Sequence, residues 1–347
     1  MKRPLILLLL LFVALLAVPR FFSPPQSPSI ELLSLTGSTM GTSYHIKVVP
    51  NPQRSETVDT LQQRVQQRLD QINHLMSTYQ KDSELSRINQ AKAEQWMPVS
   101  DETLLVILTA QQVSQDSDGA FDITIGNLVN LWGFGPTINL HALPDPQKIS
   151  TLRDQVGYTR LRLDTEHRQV AKGNDQLYLD LSAIAKGYAV DAVAELLSAS
   201  GYQHYMVEIG GEIRTRGQKS ATAPWAIGIE EPITDGRNIQ KILHLGDAAM
   251  ATSGDYRNYF EQDGKRYSHT IDPRTGYPIE HRLASVSVLS DSCMLADAYA
   301  TTLMVMGPER GMAWAEKMGL AVYMIIKEEK GFSTRASHLF DKYAAAH

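Results

Sequence analysis

A carboxylate and a hydroxyl stand four positions apart in the stretch "ADAYAT", as Asp297 and Thr301. On a helix this spacing places both side chains on one face. The flanking residues are apolar, and a buried polar pair without a partner is costly. Carboxylate, hydroxyl and carbonyl oxygens form a hard donor set that suits Mg²⁺ with a phosphate ligand. The alternative is an aspartate on the outer face of the helix, and this pair alone does not exclude it.

A second candidate site lies in "LDLSAIAKGYAVD", where a strand-like run meets a helix-like run. The first free N–H groups of a helix favour anionic ligands. Capping of the helix by Asp180 or Ser182 is the plain structural alternative. Lys186 is not explained by capping, because a positive charge in the first turns opposes the helix dipole. We therefore interpret Lys186 as a cation that pairs with phosphate.

His269 is the histidine embedded in the densest polar motif, "SHTIDPRTGYPI", among the 10 histidines of the chain. The Pro-Arg-Thr-Gly segment predicts a tight turn. We interpret Asp272 and Arg274 as structural residues that brace this turn. His269 is either a solvated residue at a strand end or part of a site, and the segment alone does not decide between these interpretations.

Three weaker signals follow strand-like or helical segments. The glycine turns "EIGGEI" and "ATSGDYRNYF" allow close approach of backbone to a ligand, with Thr252 and Ser253 as hydroxyl donors. Asp122 in "GAFDIT" either caps its own loop or holds the polar edge of a ligand. Tyr79, after a long helical pattern, either stacks on a flat ring or closes a core.

Strand and helix patterns alternate along the chain without an internal repeat. Apolar residues spaced by three and four predict a helix from Val58 to Met76 that is capped near Ser55. Further helices are predicted over 104–113, 183–198 and 295–306, the last ended by Gly307-Pro308. Strands are predicted over 42–49, 161–163, 177–181, 205–209, 225–229, 242–245, 284–289 and 320–326. The mixture indicates one α+β domain with mainly antiparallel sheets flanked by helices.

The amino terminus differs in composition from the rest of the chain. Met1-Lys2-Arg3 and the apolar run 5–18 predict a signal peptide or an N-terminal membrane anchor over residues 1–22. "SPPQSP" opens a linker over 23–34, which leaves 35–345 as the folded domain. These features predict a periplasmic protein tethered to the inner membrane.

Composition excludes several classes of protein and of site. A net charge of -5 without a basic run gives no reason to expect nucleic acid. The single cysteine excludes a disulfide framework and a cysteine metal cluster, and Cys293 is best explained as a small core residue. No P-loop, dinucleotide fingerprint, G-x-S-x-G elbow or H-E-x-x-H motif occurs.

Taken in order, the motifs resemble the ApbE family of FAD:protein FMN transferases. The matching stretches span about residues 35 to 330 and are "TMGTSY", "STY", "GAFDIT", "NLWGFG", "DLSAIAKGYAVD", "GGEIRTRG", "TSGDYRNYF", "SHTIDPRTGYPI" and "ADAYATTLMVMG". The resemblance implies a single ApbE-type, T-fold-like domain that binds FAD and Mg²⁺. It also implies transfer of FMN to a Thr or Ser hydroxyl of a target protein with release of AMP. The usual acceptor in the family is a subunit of a Na⁺-pumping quinone reductase or of a related electron-transport complex.

The resemblance also assigns roles to residues. His269 matches the histidine proposed to activate the acceptor hydroxyl. Metal positions match the backbone carbonyl of Ala183, together with Asp297 and Thr301. Flavin-nucleotide contacts match Met40, Tyr79, Ala120, Phe121, Asp122, Asp180, Lys186 and Ile271.

Two features of the family pattern differ here, and two other functions stay open. Many relatives carry a lipid-attachment cysteine that this chain lacks, and some have Thr where Ala183 stands, which preserves a carbonyl ligand. The same cradle for metal and diphosphate would serve an FAD pyrophosphatase that releases FMN and AMP. A flavin-binding protein without turnover is the third interpretation, although flavin storage requires neither His269 nor the Asp297/Thr301 pair.

Overall fold

A computed structural model describes residues 31–346, apart from residue 54 and residues 137–142, 221–222, 234–237 and 256–258. The predicted signal or anchor segment 1–22 lies outside the described residues, as does most of the predicted linker. Among the described helices, none is long and apolar enough to cross a membrane. The first strand, β1 (Leu33–Thr39), begins inside the predicted linker because Leu33 already pairs with Val48.

An eight-stranded sheet forms the centre of the fold, and every pairing within it is antiparallel. Its strands, in spatial order, are β1, β2 (Thr42–Val48), β6 (Tyr205–Ile209), β7 (Glu212–Arg216), β10 (Ala248–Gly254), β13 (Leu283–Ser290), β14 (Ala321–Lys327) and β15 (Phe332–Ala336).

Three smaller antiparallel sheets surround this one. They are the three-stranded sheet of β3 (Met97–Pro98), β5 (Gln169–Lys172) and β4 (Leu161–Asp164), the hairpin of β8 (Trp225–Glu230) and β9 (Ile239–Leu245), and the hairpin of β11 (Tyr259–Gln262) and β12 (Lys265–Ser268).

The described helices are α1 (Val58–Met76), α2 (Glu84–Gln90), α3 (Asp101–Asp116), α4 (Gly126–Leu131), α5 (Pro146–Arg153), α6 (Ala185–Ala199), α7 (Cys293–Met318) and α8 (His338–Ala346). The helix α7 contains a break, because Gly307 adopts φ 77° and ψ 177° ahead of Pro308. The break lies where the sequence predicts a helix end.

Strand alternation divides the core between the two faces of the main sheet. In β14, Val322 and Met324 face α7, whereas Tyr323 and Ile325 pack with the β8–β9 hairpin and α8. Helices α1 and α6 cover the remainder of the first face, and α3 packs against α7 within the same hydrophobic core. Strands β13 and β14 are thus buried on both faces, whereas β2, near the other end of the sheet, alternates buried and exposed residues.

The observed fold confirms the predicted α+β class with mainly antiparallel sheets. One predicted strand is wrong: residues 177–181 form no ladder, apart from an isolated bridge between Tyr178 and Ile125. Their backbone groups are satisfied in other ways, because Leu179 exchanges two hydrogen bonds with the side chain of Asn89. Alternation alone cannot tell such a bonded loop from a strand.

Two predicted helix starts are also corrected. The helix α1 is capped by the hydroxyl of Thr57, which accepts from the Thr60 N–H at 3.2 Å, rather than near Ser55. The helix α6 begins at Ala185, after a turn over 182–184, instead of at Ala183. Neither Asp180 nor Ser182 caps it, since its N-cap position is Ile184 and makes no side-chain capping bond.

Candidate active site

One cleft of about 990 Å³ opens at one end of the main sheet. The turns β1–β2 and β6–β7, the end of β10, the start of α6 and the middle of α7 form its walls. All of the site residues predicted from the sequence line this cleft: Met40, Tyr79, Ala120, Phe121, Asp122, Asp180, Ala183, Lys186, His269, Ile271, Asp297 and Thr301. The structure therefore brings together residues as far apart in the sequence as Met40 and Thr301. Their chemical roles remain predictions.

Two tight turns carry backbone to the cleft. Met40 and Gly41 join β1 to β2 with φ values of 48° and 73°, the backbone of a two-residue hairpin turn. A methionine in this left-handed region is uncommon, and such residues cluster at functional sites. Gly210 and Gly211, with φ values of 62° and 105°, join β6 to β7 in the same wall and confirm the predicted glycine turn.

The first turn of α6 is capped from another helix. The Gly187 N–H, which in a regular helix would bond to the carbonyl of Ala183, donates instead to Oδ2 of Asp297 at 2.9 Å. Asp297 is 3% exposed, and burial raises the pKa of its carboxyl against the lowering effect of Lys186 and of the Gly187 amide. The capping bond thus places the Asp297 carboxylate at the first turn of α6, in the cleft that Ala183 also lines.

Lys186 forms an ion pair with Glu212, the first residue of β7, at 2.6 Å between Nζ and Oε1. Burial lowers the pKa of Lys186, but the carboxylates of Glu212 and Asp297 outweigh burial and raise it. Lys186 therefore stays protonated in the cleft. Burial raises the pKa of Glu212 to about 7, against the opposing effect of Lys186. Glu212 is a cleft residue that the sequence interpretation missed, since in "GGEI" it reads as an ordinary strand residue.

Thr301 lies one helical turn after Asp297, and both side chains line the cleft, as the predicted spacing requires. Its hydroxyl is 3.4 Å from that of Ser253 at the end of β10. The hydroxyl of Thr252 pairs with Ser287 at 2.7 Å on the neighbouring strand. Ser253, rather than Thr252, is therefore the β10 hydroxyl directed towards the Asp297/Thr301 pair.

The residues at this point fit a hard divalent cation. Asp297 offers carboxylate oxygen, Thr301 hydroxyl oxygen, and Ala183 the carbonyl that the Gly187 amide does not occupy. Within the described ranges, no group of three or more His, Cys, Asp or Glu side chains is arranged to hold a metal. A cation held by one carboxylate leaves positions for water and phosphate oxygens, which is how Mg²⁺ commonly binds beside phosphates.

The loop after His269 is closed by its own hydrogen bonds. Asp272 accepts from the Arg274 backbone amide and forms a bidentate pair with its guanidinium at 2.8 and 2.7 Å, as expected for a brace. The amide of Ile279 donates to the carbonyl of Thr270 across the loop. The Trp132 indole N–H donates to the carbonyl of Gly276 at 2.8 Å and ties the loop to α4. These bonds fix the backbone next to His269.

An aromatic cluster supports the same loop. Phe134 packs edge-on against the ring of His269, at 6.3 Å between centroids. Phe260 stacks on Tyr267, and Tyr267 stacks on Trp132. His269 is partly buried and borders the cleft, so its ring is positioned from one side by Phe134. This is the role that the sequence segment "NLWGFG" has in the fold.

The flavin-contact candidates differ in what their side chains can do. Tyr79 is 71% exposed and borders the cleft, so it closes no core and its ring is accessible for stacking. Asp180 accepts from the Ser182 amide at 2.9 Å, and burial raises its pKa against that bond.

Asp122 is held by three hydrogen bonds from the protein. It accepts from the amide and hydroxyl of Thr124 and from the amide of Tyr158, so its carboxylate organises the loop. Of the two interpretations of Asp122, the structure favours the one in which it caps its own loop. Ala120, Phe121 and Ile271 are buried in the cleft wall.

A second depression, of about 790 Å³, lies beside α1 and is lined largely by glutamines together with Arg68 and Glu102. Arg68 and Glu102 form a bidentate pair there, and Tyr188 donates to the same carboxylate. The predicted site residues do not line this depression. The candidate catalytic and ligand-binding residues therefore identify the cleft at the end of the main sheet as the candidate active site.

Comparison with known proteins identifies the family of the chain. The ApbE family model matches residues 40–324. The FAD:protein FMN transferase of Vibrio cholerae is 49% identical over 90% of this chain and 93% of its own length. That of Haemophilus influenzae is 44% identical over 90% and 91%. The solved structure of the flavin transferase ApbE from Vibrio cholerae superposes with a TM-score of 0.84 and 47% identity, covering 90% of this chain and 99% of that one. The chain therefore belongs to the ApbE family.

Proposed function

We propose that this chain is an FAD:protein FMN transferase that uses Mg²⁺ and attaches FMN to a Thr or Ser hydroxyl of an acceptor protein, with AMP as the second product. The observation that carries the proposal is the convergence of Lys186, His269 and the Asp297/Thr301 pair on one cleft. These groups match the needs of phosphoryl transfer, in which neutralisation of charge and in-line positioning matter more than covalent help from the protein.

The residues of the cleft divide the task. Lys186 is protonated and lines the cleft, where it would offset charge on the FAD diphosphate. Tyr79 offers an exposed ring for the flavin or the adenine. Mg²⁺ bound by Asp297, Thr301 and the Ala183 carbonyl would supply further neutralisation of phosphate charge.

His269 would accept the proton of the attacking hydroxyl. In the proposed step the hydroxyl oxygen bonds to the phosphorus of FMN, the diphosphate P–O bond breaks, and AMP leaves with the bridging oxygen. A histidine suits this role because its usual pKa lies close to neutrality. Phe134 and the braced 270–279 loop hold the ring at the cleft edge.

Incubation of the full chain with FAD, Mg²⁺ and a Thr-containing acceptor domain of a membrane redox complex tests the function. A covalent fluorescent acceptor band with stoichiometric AMP supports the transferase. Release of free FMN with AMP would show a pyrophosphatase instead of a transferase, and unchanged FAD would show a flavin-binding protein without turnover.

The variant His269→Ala sharpens the test. It should bind FAD as the parent does and lose transfer by about 10²–10⁴-fold, the usual contribution of a general base. His167→Ala is the matched control, because His167 is exposed, pairs with the neighbouring Asp164 and does not line the cleft. Transfer by His269→Ala at the rate of the control would remove His269 from the mechanism.

We also propose that the enzyme works in the periplasm, tethered to the inner membrane by residues 1–22, on a subunit of a Na⁺-pumping quinone reductase or a related complex. The supporting observation is the basic start and the apolar run of the amino terminus. Fractionation of cells that produce the full chain, or a chain without residues 1–22, tests the location. Recovery of the full chain in the cytosol would contradict it.

A further inference from the structure

Glu212 has a carboxylate oxygen whose burial is not compensated within the described part of the chain. The residue is 2% exposed, and Oε1 accepts from Lys186 while Oε2 is buried without a hydrogen-bond partner there. An unsatisfied buried oxygen is costly, and an ion pair made only for stability would satisfy both oxygens. Glu212 lines the cleft, so its position relates to what the cleft binds.

The backbone around Glu212 leaves its side chain little choice of position. Glu212 pairs with Ile209 across the tight Gly210–Gly211 turn. Lys186 is equally fixed, because its neighbour Gly187 lies against α7: a side chain there would overlap the Cys293 carbonyl and come within 2.8 Å of Asp297 Cβ. The Lys186 ammonium pairs with Glu212 at 2.6 Å, while Asp297 accepts at 2.9 Å from the amide of the next residue, Gly187. Both carboxylates act on the ammonium electrostatically.

The ion pair with Glu212 determines which carboxylate binds the Lys186 ammonium. In the absence of Glu212, Asp297 is the other carboxylate that acts on the ammonium, which would then compete with a cation for the oxygens of Asp297. We propose that Glu212 is a positioning residue that holds Lys186 away from Asp297. The Asp297 carboxylate thereby stays available to a divalent cation, and the Lys186 ammonium stays available to a diphosphate. This inference deepens the proposed function and rests on it for the identity of the diphosphate.

The inference predicts a specific coupling between Glu212 and Lys186 in cation binding. Mn²⁺ binding to the full chain, followed by electron paramagnetic resonance, reports on the cation without any turnover. Glu212→Gln should weaken Mn²⁺ binding by about 10–100-fold, the usual effect of a residue that orients a metal site from outside it. In a Lys186→Met background, the same Glu212→Gln change should alter Mn²⁺ binding by less than about twofold, because no ammonium remains to be held away.

Two further variants guard against a loss of folding. Glu212→Gln leaves the partly buried ammonium of Lys186 without its partner, whereas the double variant Lys186→Met/Glu212→Gln removes both charges and should fold. Glu212→Asp keeps the charge with a shorter reach and should lose only part of the affinity, which a purely structural role would not predict. Thermal unfolding of each variant accompanies the titrations.

The possible outcomes separate the inference from the proposed function. An equal loss of Mn²⁺ affinity in both backgrounds, or none in either, overturns the role of Glu212, and so does a parent chain that does not bind Mn²⁺. A parent that binds Mn²⁺ with the predicted coupling but transfers no flavin supports the role of Glu212 and overturns the transferase.

Discussion

Asp191 and Asp297 lie on two paired helices, and each accepts hydrogen bonds from the other helix. Only Asp191 has all of its acceptor capacity filled by hydrogen bonds within the described part of the protein. Each lies on one of the paired helices α6 and α7 and accepts from the first turn of the other. Asp191 accepts from Arg214, from the Ser292 hydroxyl and from the amides of Cys293 and Met294, at 2.7 to 3.0 Å. Asp297 accepts from the Gly187 amide, the one hydrogen bond to it among the described residues.

The difference lies in unused acceptor capacity. An ionised carboxylate has about four lone-pair sites. Asp191 fills them within the protein, and an arginine balances its charge, so it functions as a structural cap. Asp297 fills one, lines the cleft and bears a charge that burial disfavours. Identical residue types in equivalent helix pairings thus separate into a stabilising carboxylate and a ligand-binding one.

Loss of Asp191 should have the largest effect, and that effect should be on stability. Asp191→Ala leaves Arg214 without its partner and the α7 amides without their cap. Breaking a largely buried pair of this kind costs about 3–5 kcal/mol in free energy of unfolding. Denaturant titration measures it. Flavin transfer per folded molecule should stay within about threefold of the parent, since Asp191 does not line the cleft. A large loss of turnover in the folded variant would contradict a purely structural role.

Asp297→Asn should show the opposite behaviour. The amide oxygen of asparagine can still accept from Gly187, so stability should be unchanged or slightly higher once a disfavoured buried charge is gone. Transfer should fall by at least about 100-fold, or about 2.7 kcal/mol in activation free energy, because the cation loses its anionic ligand. The measurements are Mg²⁺-dependent AMP release and thermal unfolding. If Asp297→Asn unfolds as readily as Asp191→Ala, the contrast between the two aspartates fails.

His281, between β12 and β13, is a structural histidine, and its expected effect is smaller than those of the two aspartates. His281 donates from Nε2 to the Met304 carbonyl and accepts at Nδ1 from the Leu283 amide, so both ring nitrogens serve the fold. Burial lowers its pKa, and the opposing contributions of the Met304 carbonyl and Asp255 do not restore it; Lys327 lowers it slightly further.

A lowered pKa in the folded state determines the sign of the pH effect. As the pH falls below about 6.5, the unfolded chain binds the His281 proton first. The free energy of unfolding should therefore fall from about pH 6.5 down to the folded pKa, by at most about 1.4 kcal/mol per pH unit from this group. His281→Asn should flatten that part of the profile, measured by denaturant titration across pH 5 to 8. Parallel profiles for parent and variant would exclude His281 as the source.

Residues close in sequence were the ones whose structure could be predicted. The three-and-four spacing of α1, the alternation of β2 and β6, the turn braced by Asp272 and Arg274, and the one-face placement of Asp297 and Thr301 all depend on near neighbours. The capping of α6 by Asp297, the pairing of Lys186 with Glu212 and the bonding of residues 177–181 to Asn89 join segments far apart in the chain. Local periodicity carries no information on such pairings.

Gly187 sets how the cleft can change shape. Because α6 and α7 are in direct backbone contact at this residue, the two helices can approach no further. The contact therefore fixes the separation between the backbone of Lys186 and that of Asp297, and this wall of the cleft is rigid. Adjustment to a bulky substrate is therefore expected from other lining segments, such as those with Tyr79 and His269. A competitive inhibitor with a rigid diphosphate mimic would suit the wall that carries Lys186 and Asp297. Its selectivity would depend on the groups that it presents to the segments with Tyr79 and His269.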